Sequence, residues 1–247
     1  MASKKVIIIP SRLESSRLPQ KALIEIVGYP MIIHVLKRCQ LAKEIDEVFV
    51  ATDSKLIERE VKNYHGKVIM TSSDHKTGTD RIAEASKKID ADIIINVQGD
   101  EVLLNPNHID ELCKLMDKNE DINVAILVNE YNAKNNPSAI KTVLNENNEV
   151  MYFSRSDIPS TARSPHAKLL KAYHIIPFRK KFLIEYSNWA PSRLESIEFN
   201  EYLRILEKGH KIKALEVESD AISIDTEEDL SIAKTLFLKD KFIKKYN

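Results

Sequence analysis

Short apolar runs rich in valine and isoleucine alternate with longer amphipathic stretches through the first half of the chain. The apolar runs lie within residues 6–9, 47–53, 67–70 and 91–100, and the amphipathic stretches include 30–43, 77–89 and 108–118. Apolar strands separated by helices are typical of a parallel sheet that is covered on both faces. The pattern therefore predicts an α/β protein with a doubly wound, mostly parallel sheet.

The alternation of short apolar runs and amphipathic stretches ends near residue 123. Residues 123–130, 140–154 and 171–179 resemble longer strands, with an Asn-Asn turn inside the second of them, and we expect these strands to be antiparallel. The region of about 123–190 is predicted to be an insertion in a single domain spanning 1–247. Two helices, 180–189 and 192–209, should follow, the second ending at Gly209. We also expect a strand at 211–219 and a terminal helix over 225–247.

Charge and cysteine content narrow the possible classes of partner. The chain has 37 basic and 37 acidic residues, so no overall positive field attracts nucleic acid or anionic lipid. The apolar run near the N-terminus is too short for a signal peptide or a membrane span. Cys39 and Cys113 have no metal-type spacing, so we expect buried thiols in a reducing compartment. These features favour a cytoplasmic protein without nucleic-acid or membrane partners.

A cationic loop follows the first predicted strand. It contains Arg12, Arg17 and Lys21 and has no glycine, which excludes a Walker A loop and a dinucleotide fingerprint. Ligands of open α/β sheets bind at the carboxyl ends of the strands, where this loop lies. The loop therefore indicates a polyphosphate site built from side chains. A solvated charged loop is the alternative.

Carboxylates and hydroxyls lie at other strand ends. Asp100 follows the most apolar strand, and a carboxylate opposite cations indicates Mg²⁺ bridging to phosphates, with a helix cap as the alternative. Asp225 precedes an acidic helix start, so its own pattern favours a cap. The polar loop 70–81 contains Gly78 and several hydroxyls that could contact a base or ribose. An ordinary capped helix entry explains that loop equally well.

Taken together and in order, these segments resemble one family, the CMP-Kdo synthetases or 3-deoxy-manno-octulosonate cytidylyltransferases. The resemblance covers nearly the whole chain. It includes IPSRLESSRLPQKAL (9–23), MTSSDHKTGTDRIAE (70–84), NVQGDE (96–101), MYFSRSDIP (151–159) and IDTEEDL (224–230). Any one of these motifs is weak, and their combination is specific.

The resemblance implies a Rossmann-like nucleotidyltransferase fold and transfer of CMP from CTP to the anomeric hydroxyl of an acidic 3-deoxy sugar, with Mg²⁺ and release of pyrophosphate. It also implies a homodimer formed through the antiparallel insertion. The implied metal ligands are Asp100 and Asp225, and the implied catalytic residues are these two with Arg12 and Lys21. The implied nucleotide-binding residues are Pro10, Ser11, Arg12, Lys21, Thr71, Ser72, Gly78 and Arg81. The implied acceptor-binding residues are Gln98, Arg155, His174, Glu201 and Tyr202.

Departures from the family pattern cluster in the acceptor half. The usual KHxGIYxFR becomes KAYHIIPFR, so that Ala172 replaces a histidine, His174 a glycine and Ile176 a tyrosine. Tyr202 replaces a glutamine, and the glycine of GVDT becomes Ser223. A contact tuned to one hydroxyl can discriminate strongly between substrates. The alternatives are therefore the same chemistry on another acidic acceptor, or a non-catalytic nucleotide-binding protein.

Overall fold

Strands and helices alternate along most of the computed structural model, which describes residues 3–14, 18–164, 167–219 and 221–246. The strands are β1 (Lys5–Ser11), β2 (Glu25–Ile26), β3 (Tyr29–Pro30), β4 (Glu47–Thr52), β5 (Lys67–Met70), β6 (Ile93–Val97), β7 (Ala125–Tyr131), β8 (Lys141–Leu144), β9 (Val150–Ser154), β10 (Leu169–Tyr173), β11 (Ile175–Arg179) and β12 (Lys213–Glu216). The helices are α1 (Met31–Cys39), α2 (Lys55–Asn63), α3 (Gly78–Ser86), α4 (Pro106–Lys118), α5 (Lys180–Tyr186), α6 (Arg193–Glu198), α7 (Leu203–Glu207) and α8 (Glu227–Phe237).

The first sheet has the strand order β11-β6-β1-β4-β5. Strands β1, β4, β5 and β6 are parallel, and β11 runs antiparallel beside β6. The chain moves outward from β1 to β5 on one side and then returns to place β6 on the other. This reversal of strand order beside β1 is characteristic of doubly wound sheets. The predicted fold class is confirmed.

Strand β1 is buried on both faces, as its uninterrupted apolar sequence predicts. Ile7 and Ile9 pack into one hydrophobic core, and Val6 and Ile8 pack into a second core on the opposite face. Helix α1 contributes to the first core and α3 to the second. With both faces covered, only the strand ends remain open to a ligand.

The second sheet has the order β12-β7-β10-β8-β9. In this sheet the adjacent strands β7, β10, β8 and β9 are antiparallel to one another, as predicted, whereas β12 lies parallel to β7. Residues 171–179 are not one strand, because the chain passes from β10 in this sheet to β11 in the first sheet at His174. The residues on both sides of His174 are mostly apolar, so the sequence gives no signal of such a change.

All three helices predicted in the second half of the chain are shorter than expected, and the first, predicted over 180–189, ends as α5 at Tyr186. The stretch 192–209 forms α6 and α7, because Phe199 between them has a left-handed backbone with φ 49°. The Asn200 side chain accepts a hydrogen bond from the Tyr202 amide at 3.0 Å, a local bond that replaces a helical one. Gly209 has φ 78° after α7 and acts as the predicted stop. The terminal helix α8 ends at Phe237.

Both cysteines are buried free thiols, as expected. Burial raises the pKa of Cys113 to about 12, which makes it an inert packing residue. Within the described parts of the chain, no helix combines the length and apolar character needed to cross a membrane.

Candidate active site

An open cleft of about 260 Å³ lies at the carboxyl ends of β1 and β6, where the strand order of the first sheet reverses. Ligands of doubly wound sheets bind at this kind of position. The cleft is lined by Pro10, Ser11, Arg12, Glu14, Lys21, Ala22, Met31, His75, Lys76, Thr77, Gly78, Arg81, Gln98, Gly99, Asp100 and Asp225. The predicted residues Pro10 to Arg12, Lys21, Gly78, Arg81, Gln98, Asp100 and Asp225 are therefore brought together. Arg17 lies outside the described residues.

Two glycines allow the walls of the cleft to approach each other closely. A Cβ atom on Gly99 would lie 3.2 Å from the Pro10 carbonyl oxygen, and one on Gly78 would lie 3.2 Å from Pro10 Cγ and 3.3 Å from Gln98 Nε2. Backbone atoms cannot move aside as the tip of a flexible side chain can. The segments that follow β1 and β6 therefore approach closely because Gly99 lacks a side chain, whereas the atoms close to Gly78 belong to side chains.

Lys21 lies between two carboxylates at the base of the cleft. Its Nζ is 2.7 Å from Asp100 Oδ2 and 2.9 Å from Asp225 Oδ1, and all three side chains are no more than 25% exposed. Burial acts to lower the pKa of Lys21, but the two carboxylates raise it above its ordinary value. Burial raises the pKa of Asp100 against the pull of the Lys21 ammonium. The two carboxylates thus already converge on one cation.

Neither carboxylate caps a helix. Asn105 is the N-cap of α4, so the cap alternative for Asp100 is wrong. Thr226 is the N-cap of α8 and forms a capping box with Asp229, while Asp225 stands one residue before it. The helix cap that the sequence pattern indicated at Asp225 is formed by Thr226, the next residue. The Asp225 side chain contacts Lys21 instead.

The loop between β5 and α3 provides the N-cap of α3 and part of the cleft lining. Thr77 caps α3, since its Oγ1 accepts the Asp80 amide at 3.1 Å, and Thr77 also lines the cleft. Thr71 and Ser72 stand behind the cleft lining. Thr71 Oγ1 accepts from Arg81 Nη1 at 2.6 Å, and the Ser72 amide donates to Glu84 at 2.9 Å. These two residues act by holding Arg81 and the loop in place.

The predicted acceptor residues lie beside the cleft on the side of Gln98. The rings of His174 and Tyr202 are stacked, with centroids 6.5 Å apart and an interplanar angle of 30°. Asn96 Nδ2 donates to the Tyr202 hydroxyl at 3.2 Å, and the backbone N–H of Gln98 donates to the backbone carbonyl of His174 at 3.4 Å. Burial raises the pKa of Glu201, and hydrogen bonds from Thr77 and Thr79 partly offset this effect.

Arg155 is placed away from this group. Its Nε donates to the Glu198 carbonyl at 2.7 Å, Nη1 to the Pro137 carbonyl at 2.7 Å and Nη2 to the Phe199 carbonyl at 3.1 Å. The guanidinium therefore ties the loop before β8 to the end of α6, and it is not among the described residues that line the cleft. Sequence reasoning could not distinguish this use of an arginine from recognition of a substrate carboxylate.

Sequence reasoning missed several residues of the cleft. His75, Lys76 and Thr77 line it; the polar loop 70–81 that contains them was predicted to contact a base or ribose, but these three were not singled out. His75 Nε2 lies 2.5 Å from a carboxylate oxygen of Glu84, which orients the ring. Their position in the chain could have identified them, because they lie between Ser72 and Gly78 in a loop already assigned to the site.

The donor set at Asp100 and Asp225 fits Mg²⁺ better than a transition metal. Among the described residues no three His, Cys, Asp or Glu side chains form a closed metal site. Mg²⁺ is ordinarily held by one or two carboxylates together with substrate phosphates and water. Two carboxylates that converge on one cationic atom, in a cleft that also contains Arg12 and Lys76, meet that requirement.

Comparison with known proteins agrees with this geometry. A cytidylyltransferase family model matches residues 6–212. A 3-deoxy-manno-octulosonate cytidylyltransferase of Escherichia coli is 39% identical over 240 residues, covering 96% of this chain and 98% of the relative. One of Fusobacterium nucleatum subsp. nucleatum is 41% identical over 227 residues, covering 90% and 92%.

A solved structure of a related enzyme has the same fold as this chain. CMP:2-keto-3-deoxy-manno-octonic acid synthetase complexed with CTP superposes with a TM-score of 0.91 at 39% identity, covering 96% of this chain and 99% of that chain. The family match, the near full-length relatives and the shared fold agree with one another. The chain therefore belongs to the 3-deoxy-manno-octulosonate cytidylyltransferase family of nucleotidyltransferases.

Proposed function

We propose that the protein transfers CMP from CTP to the anomeric hydroxyl of Kdo or a closely related 3-deoxy-ulosonic acid, with Mg²⁺ as cofactor. The observation that carries this proposal is the convergence of Lys21, Asp100 and Asp225 on one point at the reversal of the sheet. The similarity to a synthetase solved with CTP supports the nucleotide, and the names of the relatives support the acceptor.

The reaction forms a bond between the anomeric oxygen and the α-phosphorus, breaks the α–β phosphoanhydride bond and releases pyrophosphate and the hydroxyl proton. Such a transfer depends mainly on positioning and on neutralisation of the phosphate charge. Arg12, Lys21 and Lys76 supply positive charge along the cleft for the triphosphate. Arg81, held by Thr71 and by Asp53 at 3.3 Å, lies where the base and ribose would be bound.

Asp100 and Asp225 would hold the Mg²⁺ ion. When bound, Mg²⁺ neutralises phosphate charge and polarises the phosphorus that is attacked. Lys21 contacts both carboxylates and so keeps them converged. Gln98, His174 and Tyr202 form the side of the site that we assign to the acceptor acid.

The experiment is a pyrophosphate-release assay with CTP, Kdo and Mg²⁺. The protein should turn over, and Asp100→Ala should abolish turnover while circular dichroism remains unchanged. Asp121→Ala, at an exposed carboxylate after α4, is the matched control and should retain activity. Unchanged turnover by Asp100→Ala would overturn the metal assignment. If the wild-type protein binds CTP and releases no pyrophosphate with Kdo, another acceptor or a non-catalytic role would be favoured.

We also propose that the chain forms a homodimer through the second sheet. β9 is the outer strand of that sheet, and Met151 on it and Phe199 beside its end are 62% and 80% exposed. Outer strands with exposed apolar side chains are common sites of pairing. Light scattering should give a dimer mass that Phe199→Glu reduces to a monomer. A monomeric wild-type protein would contradict this assignment. A cytoplasmic location stays a prediction.

A further inference from the structure

A buried carboxylate that belongs to none of the predicted site sets lies directly after Asp100. Glu101 is 1% exposed, and its Oε1 accepts a hydrogen bond from Ser223 Oγ at 2.6 Å. His174 Nδ1 lies 3.8 Å from the same oxygen. A buried carboxylate is costly unless it is paired and hydrogen-bonded, and here its two partners come from two different parts of the chain.

The Ser223 contact fixes the segment that carries Asp225. This segment precedes α8, and its described residues 221–226 form neither a helix nor a strand. Ser223 is two residues before Asp225, and the amide of Ile224 between them donates to the Asp100 carbonyl at 3.3 Å. Residues 100 and 101, shortly after β6, thus hold the two residues that precede Asp225, whose carboxylate reaches Lys21.

The His174 contact orients a ring on the acceptor side of the cleft. His174 stands where the chain passes from β10 to β11, its side chain is 27% exposed, and its ring lies against that of Tyr202. Gln98 lines the cleft, and its backbone N–H donates a hydrogen bond to the backbone carbonyl of His174. With Nδ1 on the side of Glu101, Nε2 is the ring nitrogen left to meet a substrate.

We propose that Glu101 is a positioning residue that joins the two halves of the active site. Through Ser223 it holds Asp225 opposite Asp100, and through His174 it directs a ring nitrogen toward a carboxylate or hydroxyl group of the acceptor acid. This inference rests on the proposed function for its acceptor half. Both partner residues stand where the family pattern has glycine, so the link through these two side chains is a feature of this chain.

Separate variants test the two contacts. Glu101→Gln retains an oxygen that can accept from Ser223 but removes the carboxylate charge beside His174 Nδ1, so it should raise the KM for the acceptor about tenfold. It should leave the dissociation constant of the Mn²⁺–CTP complex, measured by calorimetry, within about twofold. His174→Gly should reproduce the acceptor effect. The double variant should be no worse than either single variant, because both changes remove one interaction.

Ser223→Ala should do the opposite. It should weaken Mn²⁺–CTP binding about tenfold and leave the acceptor KM within about twofold. Ser231→Ala, at an exposed position on α8, is the matched control and should change neither quantity. Thermal unfolding identifies any variant that has lost its fold. If Glu101→Gln cannot fold, the His174→Gly and Ser223→Ala variants carry the test alone.

Additive acceptor effects of Glu101→Gln and His174→Gly, or unchanged Mn²⁺–CTP binding by folded Ser223→Ala, would overturn the proposal. The binding measurement also separates this inference from the proposed function. If the wild-type protein turns over no acceptor yet binds Mn²⁺–CTP, the proposed function fails, and the Ser223 contact is still tested by the loss of that binding.

Discussion

His34 provides a quantitative prediction about stability. It is fully buried in α1, with Nε2 2.5 Å from the Ile26 carbonyl oxygen and Nδ1 2.9 Å from the Tyr246 hydroxyl. Since a carbonyl only accepts, Nε2 carries the proton, and Nδ1 accepts from Tyr246. The neutral ring therefore links the C-terminal segment to β2, close to the turn that carries Lys21.

The magnitude follows from the pKa of this group. Burial, together with the nearby Arg38 cation, lowers the pKa of His34 from 6.5 to about 4, while the Ile26 carbonyl and Asp240 act in the opposite direction. The unfolded chain then binds a proton at a higher pH than the folded chain does. Stability is therefore fully present above about pH 6.5, falls as the pH drops, and has lost about 2 kcal/mol by about pH 5 and about 3 kcal/mol below about pH 4.

The assay is urea unfolding at about pH 7.5 and about pH 5. Between these values the wild-type protein should lose about 2 kcal/mol more than His34→Asn, in which the titrating group is absent. The comparison cancels the contribution of carboxylates common to both proteins. His65→Asn, at an exposed histidine, is the control and should lose as much as the wild-type protein does. Equal losses in His34→Asn and wild type would refute the reasoning.

Three further predictions concern the site and its surroundings. Lys21→Met removes the cation between Asp100 and Asp225 and should lower kcat/KM at least about 100-fold in steady-state assays, and a smaller loss would contradict its role. Gly99→Ala places a Cβ atom 3.2 Å from the Pro10 carbonyl oxygen, so it should cost about 1–3 kcal/mol in urea unfolding, and a neutral effect would show that the strand ends can separate. Arg155→Met should lower the melting temperature and leave the KM for the acceptor unchanged, and the reverse result would return Arg155 to the acceptor site.

The nucleotide half of the site could be predicted from the sequence because it depends on local signals. Strands β1 and β6 are mostly apolar, and in a parallel sheet their carboxyl ends must lie at the same edge. Asp100 comes three residues after β6 and Lys21 lies in the loop after β1, so the topology places both at that edge. Asp225 was harder to recognise, because the adjacent Thr226 and Asp229 form a capping box that has the same local pattern.

The acceptor half could not be predicted in the same way, because it depends on contacts between distant segments. The change of sheet at His174 lies between two apolar stretches that resemble one strand, and the left-handed residue Phe199 divides what resembles one helix. The contacts of Glu101 join residues more than seventy positions apart. Only tertiary packing decides such pairings, since local propensity is a weak guide where distant contacts compete with it.

Phosphorus NMR of the complete reaction detects both proposed products at once. The protein is incubated with CTP, Mg²⁺ and Kdo, and in parallel with other acidic 3-deoxy sugars, and the phosphorus-containing products are followed over time. We expect pyrophosphate and a CMP-sugar phosphodiester to appear together, and both products to be lost in Asp225→Ala. Formation of free CMP without the phosphodiester, or intact CTP with every acid, would show that the protein does not transfer CMP to an acidic sugar.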